Sequence, residues 1–118
     1  MPPPESRRTP FTVSVELRSP TIRVVRVSGE LDLATVPHLR AAALDDADPL
    51  VRLVVDLSGV TFLGSVALGV LLECLRARSA VHLVGTGHRP VSLLLRTTHL
   101  DALFPQQPTV DDAVAALG

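Results

Sequence analysis

Apolar positions along this chain follow two periods. Phe11-Thr12-Val13-Ser14-Val15-Glu16-Leu17 alternates apolar and polar, as a strand with one buried face does. Arg18-Ser19-Pro20 is a turn signal. Thr21 to Ser28 alternates again through Ile22, Val24, Val25 and Val27, so the two stretches are predicted to pair as an antiparallel hairpin. Val51-Arg52-Leu53-Val54-Val55-Asp56-Leu57 is a nearly unbroken apolar run closed by Ser58-Gly59. A run that continuous suits a strand covered on both faces, at the centre of a sheet. Ala80 to Val84 reads as a further parallel strand, and Leu100 to Phe104 as a short extended piece before a loop framed by Pro105 and Pro108.

Between these runs the period changes to that of a helix. Thr35 is a predicted N-cap, with Pro37 tolerated in the first turn, and the first helix is expected to run to about Ala47 before Asp48-Pro49 stops it. The second helix spans Val66 to Arg78, with Ser65 at its start as a capping hydroxyl. It buries Leu68, Leu71, Leu72 and Leu75 and shows a thin stripe of Ser65, Gly69, Glu73 and Arg76. A third helix runs from Pro90 to Thr97 through Val91, Leu94 and Leu95. Thr109 caps a last one, Val110 to Leu117, with Asp111 and Asp112 at its positive end. This order predicts an α/β fold: a mixed β-sheet, right-handed crossovers and about four helices packed against the sheet. The Ser65 helix then begins at the carboxyl end of a central strand, where open sheets place their sites.

Composition narrows the classes. The 118 residues form one domain of ordinary size, residues 11–118, behind a Pro-rich, charged leader, Met1 to Pro10, expected to be disordered. Eleven basic residues, all Arg, stand against twelve acidic ones, so no basic excess points to nucleic acid. Tyr and Trp are absent, which removes the usual stacking platforms. A single cysteine, Cys74, builds neither a disulfide framework nor a thiolate metal site, and fits a cytoplasmic protein. No apolar run is long enough for a membrane span, and no signal peptide opens the chain.

The candidate chemistry centres on Ser65. A helix start offers unpaired N–H groups and partial positive charge, so it accepts a phosphate with little strain. A hydrolase elbow needs small residues two places either side of the serine; Leu63 breaks that pattern, and His38, His82, His88 and His99 have no spacing that assigns a base or a metal site. Gly85-Thr86-Gly87 sits between a strand and a helix, but Pro90 takes the place of a third glycine, and a tight turn is the expected role. Asp32 and Asp56 each lie at a predicted strand end; gathered at one edge of the sheet, they would flank Ser65. No cofactor, no metal and no catalytic residue is expected.

Several blocks then resemble a family: Gly29-Glu30-Leu31-Asp32, Thr35, Asp56-Leu57-Ser58-Gly59-Val60-Thr61-Phe62-Leu63, Ser65 and Leu68-Gly69-Val70-Leu71, followed by Pro90-Val91, Leu94-Leu95-Arg96, Thr98, Leu100-Asp101, Leu103-Phe104 and Asp111-Asp112-Ala113. In spacing and order they look like the STAS domain of bacterial anti-sigma factor antagonists. The resemblance implies a non-enzymatic binding module that captures an anti-sigma factor, a serine kinase of the histidine-kinase-like ATPase group, and so frees a sigma factor. It implies phosphorylation of Ser65 as the step that ends capture. The expected partner-binding residues are Asp32, Asp56, Ser58, Gly64, Ser65, Val66, Gly69, Glu73 and Arg76, on a monomer or weak dimer. At the site the family usually reads Asp-Ser-Ser/Thr-Gly, whereas this chain reads Gly64-Ser65-Val66-Ala67. That departure supports a second reading, an adaptor or accessory subunit with the same fold and no phosphoswitch.

Overall fold

The continuous apolar run is central because both its faces are covered. In the computed structural model, which describes residues 10–45 and 48–118, Leu53, Val55 and Leu57 point to one layer of helices and Val54 to another. Within those residues the elements are β1 (Thr12–Ser19), β2 (Ile22–Leu31), α1 (Val36–Leu44), β3 (Arg52–Leu63), α2 (Ser65–Ala77), β4 (Val81–Val84), α3 (Val91–Thr97), a 3-10 turn (Leu100–Ala102), β5 (Gln106–Gln107) and α4 (Val110–Leu117). The sheet order follows the sequence, β1-β2-β3-β4-β5; β1 is antiparallel to β2 and every later pair is parallel. The mixed sheet with four α-helices and the amino-terminal hairpin agree with the sequence reading.

The larger core lies between the sheet and α1, α2 and α3, where Leu39, Ala43, Leu68, Leu71, Val91 and Leu95 are buried. The smaller one lies under α4, which sets Val110 and Ala113 against Ile22, Val24, Val54 and Val84. Thr109 caps α4 as expected, its hydroxyl accepting the Asp112 N–H at 3.1 Å.

Several boundaries are corrected. The strand expected to stop near Ser58-Gly59 runs on to Leu63, because its second half pairs with β2 alone across two irregularities in register. Helix α1 ends at Leu44, where Asp45 turns extended, rather than near Ala47; Asp46 and Ala47 lie outside the described residues, as do residues 1–9 of the expected leader. Thr35 occupies the N-cap position but makes no cap bond. Its hydroxyl donates to the Glu30 carbonyl at 2.6 Å and accepts the Asp32 N–H at 3.0 Å, so it closes the β2–α1 turn. Leu100 to Phe104 is no strand: Leu100–Ala102 coil into a 3-10 turn after His99, which sits at φ 60°. The fifth strand falls on Gln106–Gln107, beside Leu83 and Val84.

Arg78 had no predicted role beyond ending α2, yet it is buried. Its Nε and Nη2 donate to the Ala43 carbonyl at 3.1 and 2.7 Å, and Nη1 to the Asp48 carbonyl at 3.2 Å. It therefore ties the end of α1 and the start of the next connection to the end of α2. Arg78→Met keeps the aliphatic stem and removes all three bonds. With charge-assisted bonds contributing about 1.5 kcal/mol or more each when broken in a buried setting, thermal unfolding is expected to start about 15 °C lower or more. Unchanged melting would show that these bonds contribute nothing to stability.

Candidate functional site

The site is built where β2 and β3 end and α2 begins. The Gly64 N–H donates to the Leu31 carbonyl at 2.8 Å, which fastens the start of α2 beside the end of β2. Extended backbone therefore persists through Gly64, at φ −80° and ψ 159°, and helical geometry starts at Ser65. This corrects the expected cap: Gly64 holds the N-cap position, no side chain caps α2, and Ser65 is its first helical residue. Ser65 is exposed, and the first turn holds no acidic residue, so its hydroxyl lies at the uncompensated positive end of the helix.

Asp32 follows Leu31 directly and so lies beside this junction. Its carboxylate is occupied locally: Oδ1 accepts the Ala34 N–H at 3.0 Å and the Thr35 N–H at 3.1 Å. Asp32 thus holds the β2–α1 loop in shape. Asp56 does not lie at a strand end. It sits inside β3, opposite Arg26 and Val84, and the strand adds about 20 Å of contour before Leu63. Its Oδ1 accepts the Ser58 N–H at 3.0 Å and the Ser58 hydroxyl at 2.6 Å. Asp56 and Ser58 therefore form a separate pair near the end of β4, where Ser58 abuts Gly85.

The predicted stripe on α2 is present. Ser65, Gly69 and Arg76 are exposed and Glu73 half-exposed, over a length of about 16 Å. An added Cβ at Gly69 would meet nothing within 4 Å. Burial is shared more widely than expected: Ala67, Val70 and Cys74 are buried with Leu68 and Leu71, while Leu72 and Leu75 are half-buried at the margin of the core. Glu73 is gripped by Arg40 of α1 through two contacts of 2.6 Å, and the guanidinium holds its carboxyl below the usual carboxylate range. The stripe is therefore part of a two-helix surface.

Three exposed apolar residues complete the site, and two of them lay outside the predicted set. Phe62 is 47% exposed and Val66 41%, and both flank Gly64, where a Cβ would lie 3.5 Å from the Phe62 ring and 3.8 Å from Val66 Cγ2. Leu33, in the loop after β2, is more exposed still. No sequence period marked Phe62: Val60 and Leu63 are buried while Thr61 and Phe62 between them are both exposed, where the register with β2 shifts. Cys74 stays out of the chemistry, because burial pushes its thiol up to about 11. Among the described residues no group of His, Cys, Asp and Glu could hold a metal ion, and no helix is long and apolar enough to cross a membrane.

Residues 15–113 match the family model of the STAS domain. Among solved structures, an anti-sigma factor antagonist from Mycobacterium paratuberculosis is 37% identical, with 91% of this chain and 93% of that one covered and a TM-score of 0.77. The anti-sigma factor antagonist SpoIIAA in its unphosphorylated form is 18% identical over 90% of this chain and 96% of its own, at a TM-score of 0.75. The Bacillus cell fate determinant SpoIIAA in the phosphorylated form is 17% identical over 91% and 100%, at 0.69. At those identities the two SpoIIAA structures bear on the fold alone.

Proposed function

Because the chain belongs to the STAS domain family, we propose that it is an anti-sigma factor antagonist, a cytoplasmic, non-enzymatic binding domain of residues 11–118. It captures an anti-sigma factor of the serine-kinase, histidine-kinase-like ATPase group, without nucleic acid, membrane or cofactor. The observation that carries this reading is the surface at the start of α2. An exposed serine at the positive helix end follows Gly64, about which the exposed Phe62 and Val66 lie. The exposed Leu33 stands two residues past the Leu31 carbonyl that holds Gly64, and the surface continues into a stripe with open space above Gly69. A glycine inside an exposed helix costs about 1 kcal/mol against alanine. Nothing in the fold requires one at this position, since a Cβ fits freely. A partner backbone or side chain seated close on α2 supplies the reason.

Phosphorylation of Ser65 would end capture. A phosphate adds about −1.5 to −2 charges, which the helix end tolerates and a partner fitted to a neutral hydroxyl does not. Ser65→Ala is therefore expected to keep affinity for the anti-sigma factor and Ser65→Asp to lose about tenfold or more, both with native melting temperatures. Gly69→Arg should weaken capture as Ser65→Asp does, while Gly69→Ala raises stability by about 1 kcal/mol. Calorimetric titration measures all four, and equal affinities for Ser65→Ala and Ser65→Asp would sink the switch. Gly64 supports the second reading, a binding adaptor of the same fold with no phosphoswitch. Under it, Gly69→Arg still weakens binding and Ser65 stays unmodified.

A further inference from the structure

The two edges of the sheet are treated differently. β5 is two residues long and is framed by Pro105 and Pro108, which cannot donate to a further strand. β1 is eight residues long with no proline inside it, and among the described residues no strand pairs with its outer side. Val13, Val15 and Leu17 lie on the α1 face of the sheet, opposite Val27, Val25 and Arg23. α1 covers the Val13 end of this row. Val15 is 49% exposed and Leu17 64%. A long edge with an apolar row emerging from cover is the arrangement that recruits another strand.

We propose that β1 pairs antiparallel with β1 of a second copy, giving a reversible homodimer with a ten-stranded continuous sheet. The row is complementary to itself in one register. With Val15 opposite Val15 of the second copy, each Val13 faces a Leu17, so all six apolar side chains form one band. On the other face Glu16 meets Ser14, and Thr12 meets Arg18. A slip of two residues one way sets Glu16 against its own copy, a like-charge pair that disfavours that register. The same slip the other way takes Leu17 past the start of β1 to Phe11, which already stacks on His38 at 5.7 Å between ring centroids. The irregularity in the β1–β2 register, between Leu17 and Ser19, falls at Arg18, the last residue of the paired stretch, so the Val13–Leu17 band lies on regular strand. Each strand contributes only about seven residues, well under a standard interface of about 1,600 Å², so the dimer is weak. α1 packs between β1 and α2, so the dimer leaves the Ser65 surface of each copy open.

Sedimentation velocity on the full chain, from about 5 to 500 µM, reads the association directly. The weight-average coefficient is expected to rise with concentration. Val15→Lys should raise the dimer dissociation constant at least tenfold without changing the melting temperature by more than a few degrees, and Leu17→Lys does the same should Val15→Lys misfold. Val15→Cys reads the register. Facing residues of an antiparallel pair lie about 4.5 or 5.5 Å apart at Cα, both within disulfide reach. Mild oxidation should therefore cross-link Val15→Cys, whereas Glu16→Cys, which faces Ser14, should form no disulfide; the native Cys74 is buried and inert. A full chain that stays monomeric at the top concentration overturns the proposal, even if β1 accepts an extended peptide from another protein. A dimer that neither lysine variant weakens, or in which Val15→Cys fails to cross-link, uses another surface and overturns it equally.

Discussion

Gly85→Ala is expected to remove about 2–5 kcal/mol of stability, a large share of the 5–15 kcal/mol typical of a domain this size, while Gly87→Ala leaves melting almost unchanged. The two glycines sit two residues apart in the turn after β4, and only one is required. Gly85 has φ +71°, and a Cβ there would lie 2.4 Å from Ser58 Cβ and 2.6 Å from Ser58 Cα and N. Two of those three atoms are backbone of the central strand, so relief means moving β3 or β4 rather than rotating a side chain. The left-handed conformation adds about 1–2 kcal/mol for any L side chain, and forced overpacking about 1–3 more. A Cβ on Gly87 meets nothing within 4 Å. Chemical denaturation of both variants decides it. A Gly85→Ala protein as stable as the native one would mean that the turn relaxes without disturbing the β3–β4 contact. The contrast also bears on the motif: a phosphate-cradling loop would need its second glycine for close ligand approach, and the glycine that matters for folding here is the first.

Gly64→Asp is expected to speed phosphorylation of Ser65 by a cognate anti-sigma kinase about a hundredfold, at nearly unchanged stability. The backbone permits it, because φ −80° is open to every residue and no positive φ is involved. An aspartate Cβ would stand 3.2 Å from the Leu31 carbonyl, so a shift of a few tenths of an ångström is needed. Against that, α2 has no side-chain cap, and a carboxylate at the N-cap gains a few tenths of a kcal/mol over glycine. The two effects nearly cancel, so melting should move by no more than a few degrees. The rate is another matter. A carboxylate next to the hydroxyl orients it and takes its proton, and a positioned acid–base group typically contributes 10² or more. Native Gly64 offers neither, so Ser65 should be modified slowly and the protein should rest mainly in its capturing form. Intact-mass time courses with one kinase compare the two proteins. Native protein modified as fast as Gly64→Asp would show that the kinase supplies its own base, and the ordinary phosphoswitch would stand.

Sequence by itself determined the elements whose periods are unambiguous. The hairpin, the central strand, the Ser65 helix and α4 with its Thr109 cap all appear, because alternation, a double-sided apolar run and a 3.6-residue stripe each have one low-energy solution. It also marked the exposed face of α2, since a stripe of Ser, Gly, Glu and Arg cannot be the buried one. Boundaries were different. β3 passes through Ser58-Gly59, a turn signal on local grounds, because β2 offers it partners as far as Leu63. The two-residue β5 has no pattern of its own and exists only as an addition to the edge of β4. The site divided the same way. Asp32 and Asp56 look alike as aspartates after apolar runs, yet one stands beside Gly64 and the other far back along β3, because β2 ends just before Asp32 whereas β3 runs on seven residues past Asp56. Arg40 on Glu73 and Arg78 under α1 are likewise tertiary facts. Each joins residues more than thirty positions apart, and no period in the chain encodes which arginine reaches which oxygen.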